Sequence, residues 1–305
     1  MSAGPANDDP TGRPRRPLGS GDAWVTAPDG RTFWGTFGAA GLLVHDDRGV
    51  LLQHRVAWSH FGGTWGLPGG ARHEGESAVE GALRESEEEA GVPASSLRLE
   101  FATILDLGVW SYTTIVARAA DRFEAVIGDA ESTELRWIPL SEVDTLPLHP
   151  GFAARWNFLR ALIEQPVTVL VDTANVLGSR PTGWWRDRVG ATSSLLRSIS
   201  ELSERGFRGS ALDLDVDAVW PRVVAVTEGQ AAAARTNGSA VDVVAASGSG
   251  DDAIVTAAIE ATRAGSSVVV VTADAQLRER VVAVGARVLG PSWLWQQIDG
   301  NAPLG

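Results

Sequence analysis

Glu85, Glu88 and Glu89 crowd one short stretch, GALRESEEEAGV, beside Arg84. On a helix over Ser77–Ala90 they fall at i, i+3 and i+4 and share one face. Like charges at that spacing repel and do nothing for helix stability. A hard divalent cation among them would remove the repulsion. Oxygen ligands suit Mg²⁺ or Mn²⁺, and Mg²⁺ completes its shell with water and substrate phosphates. The chemistry this spacing points to is metal-assisted attack on a phosphate. Val79, Leu83 and Ala90 fall on another side of the same helix, expected to be the buried one. Glu131 or Glu134 could add a ligand or a base; an exposed strand-end carboxylate explains either residue equally well.

The surrounding pattern supplies elements to hold such a site. LLVHDDRGVLLQHR carries two apolar runs flanking Asp46-Asp47-Arg48-Gly49, which predicts a β-hairpin. A folded region is expected to begin near Trp34. HFGGTWGLPGG is a glycine-rich loop, and Gly91 is placed to cap the helix that follows it. LRLEFATILDLGVWSYTTIVARA predicts two strands, TELRWIPLSEV a strand running into a short helix, and Gly151–Glu164 a helix.

Past Pro166 the texture changes. VTVLVD, RVVAVTEG, VDVVAAS, SSVVVVTAD and ARVLG read as strands, separated by helical stretches that include Trp184–Arg205 and DDAIVTAAIEATRAG. Continuous valine-rich strands between helices imply a mainly parallel sheet covered on both faces. The expected organisation is a disordered tail at 1–22, a first α/β domain at 23–165 and a second at 166–305.

Composition narrows the chemistry. The chain has 305 residues and no cysteine, and its sequence contains no lysine. Disulfides, thiol nucleophiles, Schiff-base lysines and the phosphate-loop lysine are thereby excluded. All five histidines, His45, His54, His60, His73 and His149, lie in the first half. The net charge of −12 argues against a broad electrostatic grip on duplex nucleic acid, though not against nucleotide binding through a metal. Neither a membrane-length apolar run nor a signal-peptide core is apparent, so a cytoplasmic location without membrane attachment is expected. Oligomeric state is left open.

Gly70, five residues, Glu76, seven residues, Arg84-Glu85, two residues, Glu88-Glu89, one residue and Gly91-Val92 together resemble the Nudix box. The flanking WGLPGG and ELRW are similar to the same family, and the resemblance runs from about Trp34 to Glu164. Ser86 departs from the pattern, standing where the family has an aliphatic residue, a change that bears on packing more than on catalysis. The resemblance implies an α/β/α sandwich with a mixed sheet. It also implies Mg²⁺- or Mn²⁺-dependent hydrolysis of a nucleoside diphosphate linked to another group, with nucleoside triphosphates or oxidised purine nucleotides foremost. By position, Glu85, Glu88, Glu89 and the Gly70 carbonyl would hold the metal, and Arg84 would orient the glutamates. Glu76 would pair with Arg84 and brace the loop. Arg55 and Trp65 are the candidate substrate contacts, with Trp58 and Phe61 as further aromatic faces. A surface arginine and loop packing are the plainer roles open to those residues.

In the second half, Asp172 and Asp274 belong at the carboxyl edge of the predicted parallel sheet, where ligands bind, and the Asp251-Asp252 loop could reach it. VDTANV, SGSGDDAIVTAA and VVTADAQLRERV resemble the PIN-like, NYN-type ribonuclease fold. By position, Asp172, Asn175, Asp252 and Asp274 would match its acidic site, with single-stranded RNA as partner. An aspartate after a strand also caps the next helix, and for Asp251 or Asp252 that reading stands beside the first. PTGWWRDR offers tryptophans beside arginines, and DLDVD is expected to be extended with Asp213, Asp215 and Asp217 on one side. One functional alternative is a nucleotide-sensing Nudix module joined to an RNA-binding or ribonuclease domain.

Overall fold

The computed structural model describes residues 19–181, 183–235 and 240–304. Residues 1–18 of the expected tail and Thr182 of PTGWWRDR lie outside the described residues. Gly19–Asp22 close a turn, with Gly19 N–H donating to Asp22 Oδ2 at 2.8 Å. Contacts group the chain into two units, one of residues up to Arg98 plus Ile104–Phe152, the other of Leu99–Thr103 plus Ala153–Gly305.

The first unit opens with an antiparallel pair, β1 (Trp24–Thr26) and β2 (Thr32–Trp34), ahead of the expected start near Trp34. β3 (Ala39–Asp46) and β4 (Gly49–Arg55) form the predicted hairpin. Asp46 Oδ1 accepts from Arg48 N–H at 2.7 Å and shapes the turn. Leu42, Leu43, Val50, Leu51 and Leu52 are essentially fully buried; each such side chain contributes roughly 1.5–3 kcal/mol relative to exposure. β5 (Trp65–Gly66) pairs with β4, and β6 (Gly69–Ala71) runs antiparallel to β3. The helix α1 (Ala78–Ala90) follows, and then β7 (Leu97–Asp106). β8 (Ser111–Ala119) lies parallel to β3, whereas β9 (Ser132–Ile138) is antiparallel to β4, so the sheet is mixed as expected.

α1 is closed at both ends by its own sequence. Ser77 Oγ accepts from Glu80 N–H at 3.2 Å, and Glu80 Oε2 accepts from Ser77 N–H at 2.9 Å, a reciprocal capping box. At the other end Gly91 adopts φ 63°, the left-handed cap glycine favours. The buried face is the predicted one only at Ala90. Ala78, Gly81, Ala82, Glu85, Ser86, Glu89 and Ala90 are buried, whereas Val79 and Leu83 are half-exposed. Small residues at 78, 81, 82 and 86 let the helix approach the sheet closely, and that narrow face, not the branched one, turns inward. Ser86 fits there because its hydroxyl donates to the Ala82 carbonyl one turn back.

α2 (Pro150–Glu164) spans the division between the units. The second unit is then built on β10 (Val167–Asp172), α3 (Thr173–Gly178) and α4 (Arg188–Arg205). The short strands β11 (Phe207–Arg208) and β12 (Ala218–Val219) come next; β12 pairs with Phe101 and Ala102 of β7. β13 (Arg222–Thr227), β14 (Val241–Ala245), α5 (Gly250–Arg263), β15 (Ser267–Val271), α6 (Ala275–Val282), β16 (Arg287–Leu289) and α7 (Pro291–Asp299) complete it. The sheet order is β14-β13-β10-β15-β16 with every neighbour parallel. Its core joins Leu170, Val224, Val226, Val268 and Val270 of the strands to Ile254, Ala258, Leu277 and Val281 of the helices.

Three local expectations change. Trp184–Arg205 is not one helix: Trp184–Arg186 is a single 3₁₀ turn, and Asp187 caps α4 by accepting from Gly190 N–H at 2.8 Å. The DLDVD stretch is not an extended face. A 3₁₀ turn over Gly209–Leu212 ends with Asp213 at φ 55°, so the aspartates do not line one side of a strand. A last helix, α7, begins at Pro291, where proline suits the first helical turn. No helix among the described residues is long and apolar enough to cross a membrane.

Candidate functional site

Arg84 ties the loop before α1 to the helix. Its Nε donates to Glu76 Oε1 at 2.8 Å and its Nη2 to Glu76 Oε2 at 3.0 Å, a two-point grip. Nη1 donates to Glu85 Oε1 at 2.7 Å, and Nη2 also reaches the Ala71 carbonyl at 2.9 Å. Glu88 Oε2 lies 3.7 Å from Nη1. The Arg84 hydrogen bonds hold the Glu76 carboxyl below the usual range, against a smaller opposing effect of burial. Glu76 in turn raises Arg84. Glu76 Oε2 also accepts from His73 N–H at 2.8 Å, and the Arg72 guanidinium clamps the Glu76 carbonyl. The loop is therefore fastened at both its backbone and its side chains.

Gly70 is where β6 meets this network. A Cβ there would stand 2.7 Å from Glu85 Cδ and 2.8 Å from both its oxygens. Only glycine lets the carboxylate come so close to the strand.

The three glutamates of the helix do not share one environment. Glu85 and Glu89 are buried, at 8% and 5% exposure, while Glu88 is exposed at the rim. Glu89 Oε2 accepts from Gly69 N–H at 3.0 Å. Burial, with Glu85 adding to it, nevertheless pushes the Glu89 carboxyl up to about 8. Among the described residues, the acidic group whose ligand oxygens all lie within 4.8 Å of one another is Glu89, Asp129 and Glu131. Glu131 is one of the two carboxylates singled out in the sequence. Glu134 is not in that group; its Oε1 lies 3.8 Å from Arg136 Nε. Asp129 had no signal in the sequence; it arrives because Val126 N–H and Gly128 N–H bond the Ala90 and Glu89 carbonyls, both at 3.0 Å. Asp129 Oδ1 then accepts from Glu131 N–H at 3.0 Å. Such a donor set of carboxylates is what a hard divalent cation takes.

Tyr112 also went unread in the sequence. Its phenol is pushed up by burial and then by Glu89, with an opposing pull from Arg55. Arg55 is held by Nε donating to the His60 carbonyl at 3.1 Å. Trp65 does not offer the open face expected of it. It is 5% exposed, flanked by the Arg136 guanidinium at 4.7 Å and by His54 at 5.0 Å between ring centroids.

In the second unit, the carboxyl edge of the parallel sheet gathers acids, and Asp172, Asp252, Asp274 and Glu228 are already engaged. Asp172 is buried; its Oδ1 caps α3 by accepting from Asn175 N–H at 3.0 Å, and its Oδ2 accepts from Thr272 Oγ1 at 2.9 Å. Burial raises its carboxyl, with Asp251 and Glu228 adding repulsion. Asn175 Oδ1 accepts from Ala273 N–H at 2.8 Å, and Asp274 Oδ1 caps α6 through Leu277 N–H at 2.8 Å. Asp252 turns to Arg280 at 2.6 Å. Its neighbour Asp251 is the one raised by burial and by Asp274. Glu228, not singled out in the sequence, accepts from Gly250 N–H at 2.7 Å. Capping, read from sequence as the plain role of Asp251 or Asp252, is made instead by Asp172 and Asp274; α5 starts after Ser249, with Asp251 and Asp252 inside its first turn.

Comparison with known proteins bears on the first region. The family model described as NUDIX domain matches residues 35–162. A putative 8-oxo-dGTP diphosphatase 3 of Mycobacterium tuberculosis is 49% identical over 163 residues, covering 50% of this chain and 73% of that protein. A nucleoside triphosphate pyrophosphatase/Nudix hydrolase fusion protein of Bifidobacterium longum is 40% identical over 157 residues, 48% of this chain and 33% of that protein. Among solved structures, a Nudix hydrolase from M. smegmatis, RenU, is 45% identical, with a TM-score of 0.44, over 47% of this chain and 95% of that one. With nearly half its residues shared across most of the tuberculosis protein and the domain matched over residues 35–162, this chain belongs to the Nudix hydrolase family.

Proposed function

We propose that the first unit hydrolyses the diphosphate linkage of a nucleoside triphosphate, an oxidised purine nucleotide such as 8-oxo-dGTP foremost, with Mg²⁺ or Mn²⁺. The observation that carries this is the meeting of Glu89, Asp129 and Glu131 within 4.8 Å, beside the Glu85 carboxylate that Arg84 holds. The name of the tuberculosis relative supplies the substrate class. In this reading Glu85, Glu88 and Glu89, with the Gly70 carbonyl and with Asp129 and Glu131 added, would hold the metal. A bound divalent cation neutralises phosphate charge and makes a nucleophile of water near neutral pH. The chain's own part is placement: Arg84 orients Glu85, Glu76 braces Arg84, and Gly70 leaves room for the carboxylate. Arg55 supplies positive charge for the phosphates. The test is a panel of nucleotides with Mg²⁺, with monophosphate, pyrophosphate and phosphate separated by chromatography. A monophosphate plus pyrophosphate from a triphosphate supports the reading, and no turnover of any nucleotide ends it.

A second reading concerns the second unit: divalent-metal-dependent cleavage of single-stranded RNA at the edge bearing Asp172, Asn175 and Asp274, with Asp251 in the place first given to Asp252, which pairs with Arg280. What favours it is the mutual repulsion of Asp172, Asp251, Asp274 and Glu228, at the place where the strand order reverses between β10 and β15. Incubation of single-stranded RNA with Mn²⁺ tests it.

A further inference from the structure

Phe61 has a backbone that a bulky side chain rarely adopts. Its φ is 54°, the left-handed region that suits glycine or asparagine. Strain of this kind persists only where the surroundings fix it, and it points to a hypothesis of function. The surroundings here do fix it. The loop between β4 and β5 is closed by Arg55 N–H to the Thr64 carbonyl and Gly63 N–H to the Arg55 carbonyl, both at 2.9 Å. Thr64 Oγ1 donates to the Phe61 carbonyl at 2.6 Å, and Arg55 Nε to that of His60 at 3.1 Å. Despite this tight backing the Phe61 ring is not tucked inward; it is 45% exposed. His60 and His149 meet it edge to face, at 4.3 and 4.8 Å between centroids.

The ring also stands in order with the carboxylates. Val56 N–H donates at 2.9 Å to the carbonyl of Glu131, whose carboxylate joins Glu89 and Asp129. Arg55 comes next. A Cβ on Gly66 would lie 3.5 Å from His149 Cβ and 3.9 Å from Arg55 Cδ, so the arginine stem and the histidine flank one point of β5. The charge of Arg55 reaches both Tyr112, which lies in the field of Glu89 and Glu85, and His149. Acidic site and cation come first, where the phosphates would lie, and the aromatic face comes after them, as the base does in a nucleotide.

We infer that the Phe61 ring, with His149 at its side and Arg55 at its foot, is the platform on which the purine base of the substrate stacks. This rests on the nucleotide-hydrolase reading above. A bicyclic base has the larger face to lay on a ring. His149 adds a polar choice. Gly151 N–H donates to its Nδ1 at 3.2 Å, which leaves the ring proton on Nε2 as a donor to an acceptor atom of the base. Burial, with Arg55 and His60 adding to it, keeps that imidazole neutral, its pKa lowered to about 4.

The experiment compares wild type, Phe61→Asn and Phe61→Trp with dGTP as substrate and Mg²⁺ saturating. Asparagine suits the left-handed backbone and removes the ring, so the variant keeps its melting transition. The expected result is a KM for dGTP raised roughly 5- to 100-fold in the asparagine variant, the range of one lost base–aromatic stack. Turnover at saturation is retained, and the tryptophan variant recovers the KM. A wild-type KM in Phe61→Asn, or a loss confined to kcat, overturns the platform while nucleotide hydrolysis by the wild type keeps the underlying reading. A wild type that hydrolyses no nucleotide overturns both.

Discussion

The Arg84 guanidinium grips both oxygens of Glu76, at 2.8 and 3.0 Å, and from the same planar group reaches Glu85 Oε1 at 2.7 Å. One residue thereby fixes a loop carboxylate and a helix carboxylate eight and one positions away in sequence. Only a flat, forked cation does this; an ammonium offers no such plane. Arg84→Lys should therefore lower nucleotide hydrolysis by roughly 10- to 100-fold, the usual cost of losing an orienting partner, despite the retained charge. Steady-state kinetics with a circular dichroism check on folding measures this, and full activity would reduce Arg84 to bulk electrostatics.

Gly70→Ala tests the close approach of strand and carboxylate. The added methyl would sit 2.7 Å from Glu85 Cδ, so Glu85 must move. Activity should fall by roughly tenfold or more with the thermal transition preserved. An alanine variant with unchanged kcat would show that the Glu85 position is not used.

Proton release on metal binding follows from Glu89. Its metal-free carboxyl, raised to about 8 by burial and by Glu85, holds a proton at pH 7 that a divalent cation must displace. Calorimetric titration with Mg²⁺ in buffers of different ionisation enthalpy should report about one proton released at pH 7. Release should vanish near pH 9, and apparent affinity should climb with pH up to about 8 and then level. Buffer-independent heats at pH 7 would mean that Glu89 is not displaced.

His149 carries a pH-dependent part of stability. Its folded pKa is about 4, below the ordinary 6.5, through burial first and then Arg55 and His60. Above 6.5 both folded and unfolded chains leave it neutral. As pH falls from 6.5 towards 4 the unfolded chain takes a proton that the folded chain refuses, so stability is lost across that window. Because the ring is half-exposed, the loss is on the order of 1 kcal/mol. Urea unfolding at pH 7 and 4.5 should give a larger drop for wild type than for His149→Gln. Equal drops would remove His149 from the account.

Asp172→Asn separates the two units' activities. Asparagine caps a helix about as well as aspartate, so α3 keeps its start. If the acidic edge cleaves single-stranded RNA with Mn²⁺, this variant should lose that cleavage and keep nucleotide hydrolysis. Cleavage unchanged in the variant, or absent from the wild type, ends the ribonuclease reading.

Much of the first unit was legible because its signals are local. The Gly91 cap, the hairpin at Asp46–Gly49 and the Glu76–Arg84 pair each depend on residues close in sequence; the Ser77 cap is as local, but Ser77 reads from sequence as part of the helix. What escaped depends on how closely surfaces meet. Val79 and Leu83 looked like the buried face of α1 because they are branched, yet the small residues Ala78, Gly81, Ala82 and Ser86 let the helix settle on its other side and carry Glu85 and Glu89 inward. Trp65 looked like a stacking face, and its neighbours across the sheet cover it. Asp129 sits in a loop whose path is set by carbonyls at the end of a distant helix. In the second unit the parallel sheet was readable from its valines; which of Asp251 and Asp252 faces the edge was not, since Arg280, on another helix, decides it.

The bonds from Val126 and Gly128 to the last carbonyls of α1 make the loop that bears Asp129 an appendage of the helix that bears Glu89. The two carboxylates ride on one piece. A tilt or slide of α1 carries both along and preserves the gap between them, so only their distance to Glu131, whose carbonyl is bonded to Val56 N–H beside β4, would change. An inserted residue between Ala90 and Gly128 that keeps the Gly128 bond would leave this gap alone; one that breaks the bond would set Asp129 adrift.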